Sequence, residues 1–219
     1  MGTVRSTRST STKTSRQLGR RLPQLLVGLV LFGGGIGLTA VSELGIGPWD
    51  GLHQGIGDRI DVPLGTVSVA VSFIVLLAWI PLRQRVGIGT ILNAVIVGFM
   101  IDIVVWALPD VANLAARWAL LLGGLVVMGL GSGLYIGAGL GPGARDGLMT
   151  GLHRRGVGSL RVIRTTIELT VLAAGWLMGG TVGVGTVLAA LAIGPLVQFF
   201  LPRLTLPAVL LEPRAEPGR

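Results

Sequence analysis

Six long apolar segments divide the chain, and they constrain its fold more than any other feature. Each is close to the roughly 20 mostly apolar residues that a helix needs to cross a bilayer. The predicted spans are Leu22–Val41, Leu64–Leu82, Ile88–Leu108, Ala116–Gly137, Arg161–Met178 and Val184–Leu201. Because an unpaired backbone group is costly in lipid, the fold predicted from these segments is an all-α polytopic membrane protein.

The composition supports a membrane location and excludes most soluble fold classes. Of 219 residues, 51% are hydrophobic and 13% are charged, whereas a soluble domain carries about 25% charged residues. The 36 glycines suit helices that pack closely within lipid. The chain has no cysteine, which excludes disulfides and thiolate metal sites.

The basic residues predict the orientation of the chain. Residues 1–21 form a polar, Ser/Thr-rich segment with six bases and no acid, and this segment is predicted to be a disordered tail. With the tail inside the cell, fifteen bases fall on inner segments and only Arg59 and Arg117 on outer loops. The positive-inside rule therefore predicts cytoplasmic N- and C-termini, the latter being a tail over residues 204–219. The N-terminal tail has no aromatic residue that could stack on a base, so nucleic acid is not an expected partner.

A repeated phrase is the most informative motif. Residues 44–52 read LGIGPWDGL, and residues 138–148 read AGLGPGARDGL, which is the same phrase with two residues inserted between Pro and Asp. Further matches occur upstream at an offset of 94 and downstream at an offset of 96. Each copy contains three spans, an odd number, so the copies must cross the membrane in opposite senses. The sequence thus predicts two inverted three-helix repeats, over residues 22–108 and 116–203.

The six spans and the twin LGxGPWDGL-type motifs resemble the YczE/YitT-like integral membrane proteins of bacteria. The resemblance covers about residues 22–203 and is most specific at residues 47–52, which read GPWDGL. It implies a polytopic helical fold and a location in the bacterial plasma membrane, and it implies no particular activity.

Each Gly-Pro motif is predicted to end one helix and to begin a short one, about Trp49–Ile56 after the first span and Ala144–His153 after the fourth. The residues of this helix break are Gly45, Gly47, Pro48, Trp49, Gly51, Gly139, Gly141, Pro142 and Gly147. Asp50 and Asp146 lie in the first turns, where a carboxylate interacts favourably with the helix dipole. The short helices are either interfacial or re-entrant, and re-entrant helices would bring their ends towards a substrate or ion site. The charge topology places the two aspartates nearer opposite faces of the membrane.

Asp102, Glu168 and Asn93 are further candidate residues within predicted spans. Asp102 lies roughly 9 Å in from Leu108 at 1.5 Å per residue, and a buried ionisable group either has a function or is satisfied by packing. Glu168 follows Arg164 by four residues, a spacing typical of an intrahelical ion pair; otherwise Glu168 would carry a proton or a cation. Asn93 is predicted to form a local hydrogen bond between helices.

No motif of a known enzyme class is present, since the chain lacks GxxxxGK[ST], HExxH and GxSxG patterns. We therefore expect no catalytic activity, cofactor or metal. The leading hypothesis is a permease that moves a small solute or ion by alternating access between the inverted repeats, with Asp50, Asp146, Asp102 and Glu168 as coupling candidates. The alternative is an accessory or scaffolding membrane protein without transport. The expected partners are the lipid bilayer and an unknown solute, and the sequence leaves open whether the chain forms a homodimer.

Overall fold

The computed structural model describes residues 7–210, and its regular elements are all α-helices. Ten helices follow one another along this part of the chain: α1 (Thr7–Val41), α2 (Pro48–Ile60), α3 (Leu64–Leu77), α4 (Trp79–Leu82), α5 (Ile88–Ala107), α6 (Leu114–Gly137), α7 (Ala144–Arg154), α8 (Leu160–Leu177), α9 (Val184–Leu204) and α10 (Pro207–Leu210).

Five segments are long and apolar enough to cross a membrane. They are Leu18–Val41, Leu64–Leu82, Ile88–Ala107, Leu114–Gly137 and Val184–Leu204. Each coincides with one of the predicted spans. Helix α8 matches the remaining one in position, but it carries Arg161, Arg164 and Glu168 and does not meet the same criterion of apolarity.

The first helix is longer than the sequence predicts. It begins at Thr7, so it extends through most of the segment that was expected to be a disordered tail. Once the apolar part of a helix is formed, each further residue adds one hydrogen bond at little cost, and polar residues can therefore continue it.

Both short helices that the motifs predict are present, and α2 extends beyond its expected end. It continues to Ile60, where Asp61 adopts a left-handed conformation (φ +54°) and its backbone N–H bonds to the carbonyl of Gly57. Helix α7 runs from Ala144 to Arg154, one residue past the predicted end.

Glycines allow the central helices to approach one another closely. Gly28 in α1 packs on the backbone of Gly131 in α6, and Gly35 packs on Gly124. A Cβ atom at any of these four positions would lie within 3.0 Å of a neighbouring atom. The glycines at these positions therefore allow close helix crossing, which is common between membrane helices.

Contacts in the first half of the chain recur in the second half with every residue number raised by 96. Two packing contacts match: Gly33 on Met100 corresponds to Gly129 on Leu196, and Gly37 on Val104 corresponds to Gly133 on Phe200. Two hydrogen bonds match as well. The bond from Gly89 N to Leu140 O corresponds to that from Gly185 N to Leu44 O, and the bond from Arg59 to Leu177 O corresponds to that from Arg155 to Pro81 O. One offset therefore relates the two halves from α1 to α9.

This constant offset corrects the alignment of the motifs. Gly45 and Gly141 share positive φ values of +113° and +135°, and Gly47 and Gly143 both directly precede a helix with nearly the same φ and ψ. No residue is inserted between the motifs, so Trp49 corresponds to Arg145. The sequence alignment was wrong here because it matched the Gly-Pro dipeptides, whereas backbone conformation defines the true register.

Candidate functional site

A cavity of about 570 Å³ lies between the two halves of the bundle. It is lined by the spanning helices, by α8 and by the first turns of α2 and α7. The acidic and basic residues of its lining are Asp50, Arg145, Asp146, Arg164 and Glu168. The two motif aspartates, which the charge topology placed nearer opposite faces, thus lie in one cavity.

Helix α2 begins at the cavity because the chain before it is extended and bonded to the other half. The backbone N–H of Ile46 donates to the carbonyl of Thr181 (3.3 Å), and that of Gly185 donates to the carbonyl of Leu44 (2.7 Å). Pro48 then occupies the first turn of the helix, where its missing N–H costs nothing. The helix leads away from the cavity to Arg59, which bonds to the carbonyl of Leu177 at the end of α8.

Helix α7 is positioned by the first half in the corresponding way. The hydroxyl of Thr90 donates to the carbonyl of Pro142 (2.8 Å), and the indole N–H of Trp79 donates to the carbonyl of Ala144 (3.0 Å). The Trp79 ring lies directly on Gly147, where no side chain would fit. Each motif helix is therefore held in place by residues of the opposite half.

An ion pair joins the two motif helices across the cavity. The guanidinium of Arg145 donates to the Asp50 carboxylate at 3.3 Å, and it lies 5.0 Å from the centroid of the Trp49 ring. Asp50 is only 4% exposed. Burial raises the pKa of Asp50 above its ordinary value, and the neighbouring Arg145 offsets part of that rise. The carboxylate of one half thus depends on a cation of the other.

His53 lies one turn after Asp50, with its Nδ1 atom 3.8 Å from the carboxylate. Its side chain is buried, and neither ring nitrogen has a hydrogen-bond partner among the described residues. Burial, together with the positive charge of Arg145, lowers the pKa of His53 well below its ordinary value. The ring is therefore neutral at pH 7.

The second motif aspartate has different surroundings. Asp146 is accessible from the cavity, and its carboxylate forms no hydrogen bond or ion pair with another residue that the structure describes. The Asn93 side chain and the Tyr135 hydroxyl also line the cavity near it. Asn93 was expected to bond to a neighbouring helix, but its side chain forms no such bond within residues 18–207.

Arg164 and Glu168 form the intrahelical ion pair that their spacing indicates. The Nε atom of Arg164 donates to the Glu168 carboxylate at 2.9 Å. Both residues line the cavity, so the charges of α8 face the interior of the bundle. They therefore satisfy each other at the cavity wall.

The model of a family of unknown function, DUF6198, matches residues 19–202. The chain belongs to this family. It is 41% identical over 177 residues to an uncharacterized protein of Haemophilus influenzae, with 81% of each chain covered. It is also 34% identical over 178 residues to the uncharacterized membrane protein YczE of Bacillus subtilis, covering 80% of this chain and 83% of that protein. A third relative, the uncharacterized protein YyaS of Bacillus subtilis, is 27% identical over 181 residues, covering 80% and 90%.

These relatives confirm the YczE-like resemblance and the assignment as a membrane protein. No solved structure matches the chain.

Asp102 lies outside the cavity lining. Its carboxylate accepts hydrogen bonds from the backbone N–H of Gly65 (2.6 Å) and the hydroxyl of Thr66 (2.8 Å). Both donors belong to the first turn of α3, whose N–H groups have no partner within the helix. Asp102 therefore caps α3 from α5, which is the packing role that the sequence left open.

We expect Asp102→Ala to lower the free energy of unfolding by about 1–3 kcal/mol, because it leaves the Gly65 N–H without its partner. Asp102→Asn retains an acceptor oxygen and should cost less. Thermal unfolding of the purified protein measures both effects, with Asp110→Ala, an exposed acid, as the control. Wild-type stability of Asp102→Ala would contradict the capping role.

Sequence reasoning missed three residues of the site. Arg145, Asn93 and Tyr135 come from three different helices; Arg145 and Tyr135 were not singled out, and Asn93 was assigned only to helix packing. One available signal was the position of Arg145 directly before the motif aspartate, where the first copy has Trp49.

Proposed function

We propose that this protein is a permease that moves a small solute or ion by alternating access between two inverted three-helix repeats. The observation that carries the proposal is the Asp50–Arg145 pair, since it joins the first turns of two helices that follow corresponding spans of the two halves. Helix ends that meet at a cavity between inverted repeats are the recurring design of substrate sites in secondary transporters.

The paired contacts support six spans rather than five. Helix α8 begins at Leu160, which is 96 residues after Leu64, the first residue of the second span. Eighteen residues of helix reach about 27 Å at 1.5 Å per residue, close to the thickness of the hydrocarbon core. Its ion pair at the cavity wall is where charges are tolerated within a membrane.

In the proposed orientation both termini are cytoplasmic, in a bacterial plasma membrane. The concentration of bases on the segments assigned to the inner side supports this orientation. The first turns of α2 and α7 then approach the cavity from opposite sides of the membrane as two gates. Opening either gate separates Asp50 from Arg145, which gives the transport cycle a defined interaction to break and re-form.

The natural absence of cysteine allows a test that needs no substrate. We expect Ser72→Cys, at a half-buried position in the cavity wall, to react with a membrane-impermeant maleimide added to either side of oriented vesicles. Asp110→Cys should react only from outside and Arg85→Cys only from inside. Labelling is measured by mass shift on a gel.

The matched control is Ile74→Cys, two residues further along the same helix and 64% exposed on its outer surface. A hydrophilic maleimide should not reach it in the bilayer. Labelling of the cavity cysteine from one side only would contradict alternating access, and reversed labelling of the two loop cysteines would overturn the orientation.

A further inference from the structure

The cavity carries one carboxylate more than its cations can balance. Among the five acidic and basic residues of its lining, Asp50 pairs with Arg145 and Glu168 pairs with Arg164. Asp146 alone has no ion pair there. With all five side chains ionised, the described cavity has one net negative charge, and the unpaired carboxyl group is accessible from the cavity interior.

Other unpartnered oxygen atoms surround the same space. The position that a Cβ atom would take on Gly143 lies 3.3 Å from Asp146 Oδ2, 3.6 Å from Asn93 Oδ1 and 3.8 Å from the Tyr135 hydroxyl. Tyr135 is only 6% exposed, and its hydroxyl forms no hydrogen bond within the described chain. We call these four residues the Asp146 pocket. Three acceptor oxygens thus face a space that only a glycine leaves open.

The corresponding place in the first half is not a pocket of this kind. Asp50 is already paired with Arg145 there. Asn93 corresponds to Ala189, and Tyr135 corresponds to Thr39, whose hydroxyl donates to the carbonyl of Ile36. The group of unpartnered oxygens is therefore specific to the second half, and it is not a general consequence of the fold.

We propose that the Asp146 pocket binds the ammonium group of a small organic cation. Hydrogen bonds of an ammonium nitrogen to oxygen are about 2.7–3.2 Å long, whereas divalent metal ions need oxygen ligands at about 2.0–2.6 Å. An ammonium group carries up to three N–H donors, which matches an arrangement of three unpartnered acceptor oxygens. This inference deepens the proposed function, because it names the class of solute that the permease takes.

Aromatic rings provide a surface for the remainder of such a solute. The rings of Phe32 and Tyr135 lie 5.5 Å apart between centroids at a tilt of 56° beside the pocket, and the Trp49 ring also lines the cavity. Arg145 already lies over the Trp49 ring, which shows that a cation is stable on this wall. A cavity of about 570 Å³ lies in the usual range for small-molecule sites.

The test is a thermal-shift measurement on the purified protein in a maltoside detergent, which has no ammonium group. The added probe is propylammonium, whose three N–H groups can donate to the pocket oxygens. Tetramethylammonium and choline, which have no N–H, serve as comparisons together with sodium and a neutral alcohol. A ligand at 100 times its Kd should raise the Tm by roughly 5–10 °C. Addition of phosphatidylethanolamine distinguishes a lipid headgroup from a free solute, because a bound lipid would stabilise the protein and block the soluble ammonium ions.

Two variants locate the binding. Asp146→Asn removes the charge, and Gly143→Ala fills the space at a backbone conformation (φ −61°) that alanine readily adopts. Both should reduce the affinity for ammonium ions at least tenfold. Asp110→Asn and Gly123→Ala make the same chemical changes away from the cavity, with no atom near the added Cβ, and should bind as the wild type does.

The proposal is overturned if propylammonium does not shift the Tm, if a comparison compound does so equally, or if Asp146→Asn retains the shift. The binding proposal and the transport proposal are tested by different measurements, so either can be contradicted without the other. If the protein binds ammonium but its cavity cysteine is labelled from one side only, the proposed transport function is wrong and the proposed binding site stands.

Discussion

Replacing Arg145 with alanine is expected to lower the free energy of unfolding by about 3–5 kcal/mol at neutral pH. The substitution leaves the Asp50 carboxylate, which is 4% exposed, without its counterion. Removing one partner of a buried pair is costly because the remaining charge has neither water nor a partner. Thermal unfolding in detergent measures the effect. The Asp50→Asn/Arg145→Ala double variant should recover most of the loss, because it removes both charges.

The loss should also depend on pH in a defined direction. Burial raises the pKa of Asp50 above its ordinary value of 3.8, so the folded state binds a proton more readily than the unfolded chain. The contribution of this group to stability is therefore lost as the pH rises through its folded pKa. Without Arg145 that pKa rises further, so the difference from the wild type should grow with pH and vanish below 3.8. A pH-independent difference, or no recovery in the double variant, would contradict the ion pair.

Replacing Trp79 with alanine should be equally damaging, with a loss of about 3–5 kcal/mol. The ring is 1% exposed, fills the space over Gly147 and donates to the carbonyl of Ala144. Its removal leaves a cavity beneath the first turn of α7 and an unsatisfied carbonyl. Because that turn carries Asp146, the variant should also weaken binding at the Asp146 pocket.

A second tryptophan provides the control for this substitution. Trp106 is 88% exposed on the outside of α5, so its replacement with alanine should change the stability by no more than about 0.5 kcal/mol. Equal Tm values for the two alanine variants would show that Trp79 does not anchor α7. Both variants are measured by the same thermal unfolding assay.

The membrane class, the spanning segments and the two motif helices could be predicted because they depend on local patterns. The length of an apolar segment can be read directly from the sequence and compared with the thickness of a bilayer. A Gly-x-Gly break before a carboxylate likewise specifies the start of a helix. The predictions of helix boundaries failed where the sequence pattern at the end of a helix was weak. Helix α1 continues into polar sequence to Thr7, and α2 continues to Ile60.

The alignment of the repeats shows the limit of identity matching in a glycine-rich chain. Matching the Gly-Pro dipeptides of the two motifs required a two-residue insertion. The φ values of Gly45 and Gly141 and the shared hydrogen bonds to Leu44 and Leu140 select the offset of 96. Backbone conformation carried the information that side-chain identity did not.

The sequence by itself determined that this protein is a helical membrane protein with a duplicated motif, because hydropathy and glycine spacing act over one or two helical turns. Only the tertiary structure decided what the motif carboxylates face. Asp50 meets Arg145 from 95 residues away, and the oxygens of Asp146, Asn93 and Tyr135 converge near Gly143. Such partners are selected by how whole helices pack, and no local spacing in the chain encodes that packing.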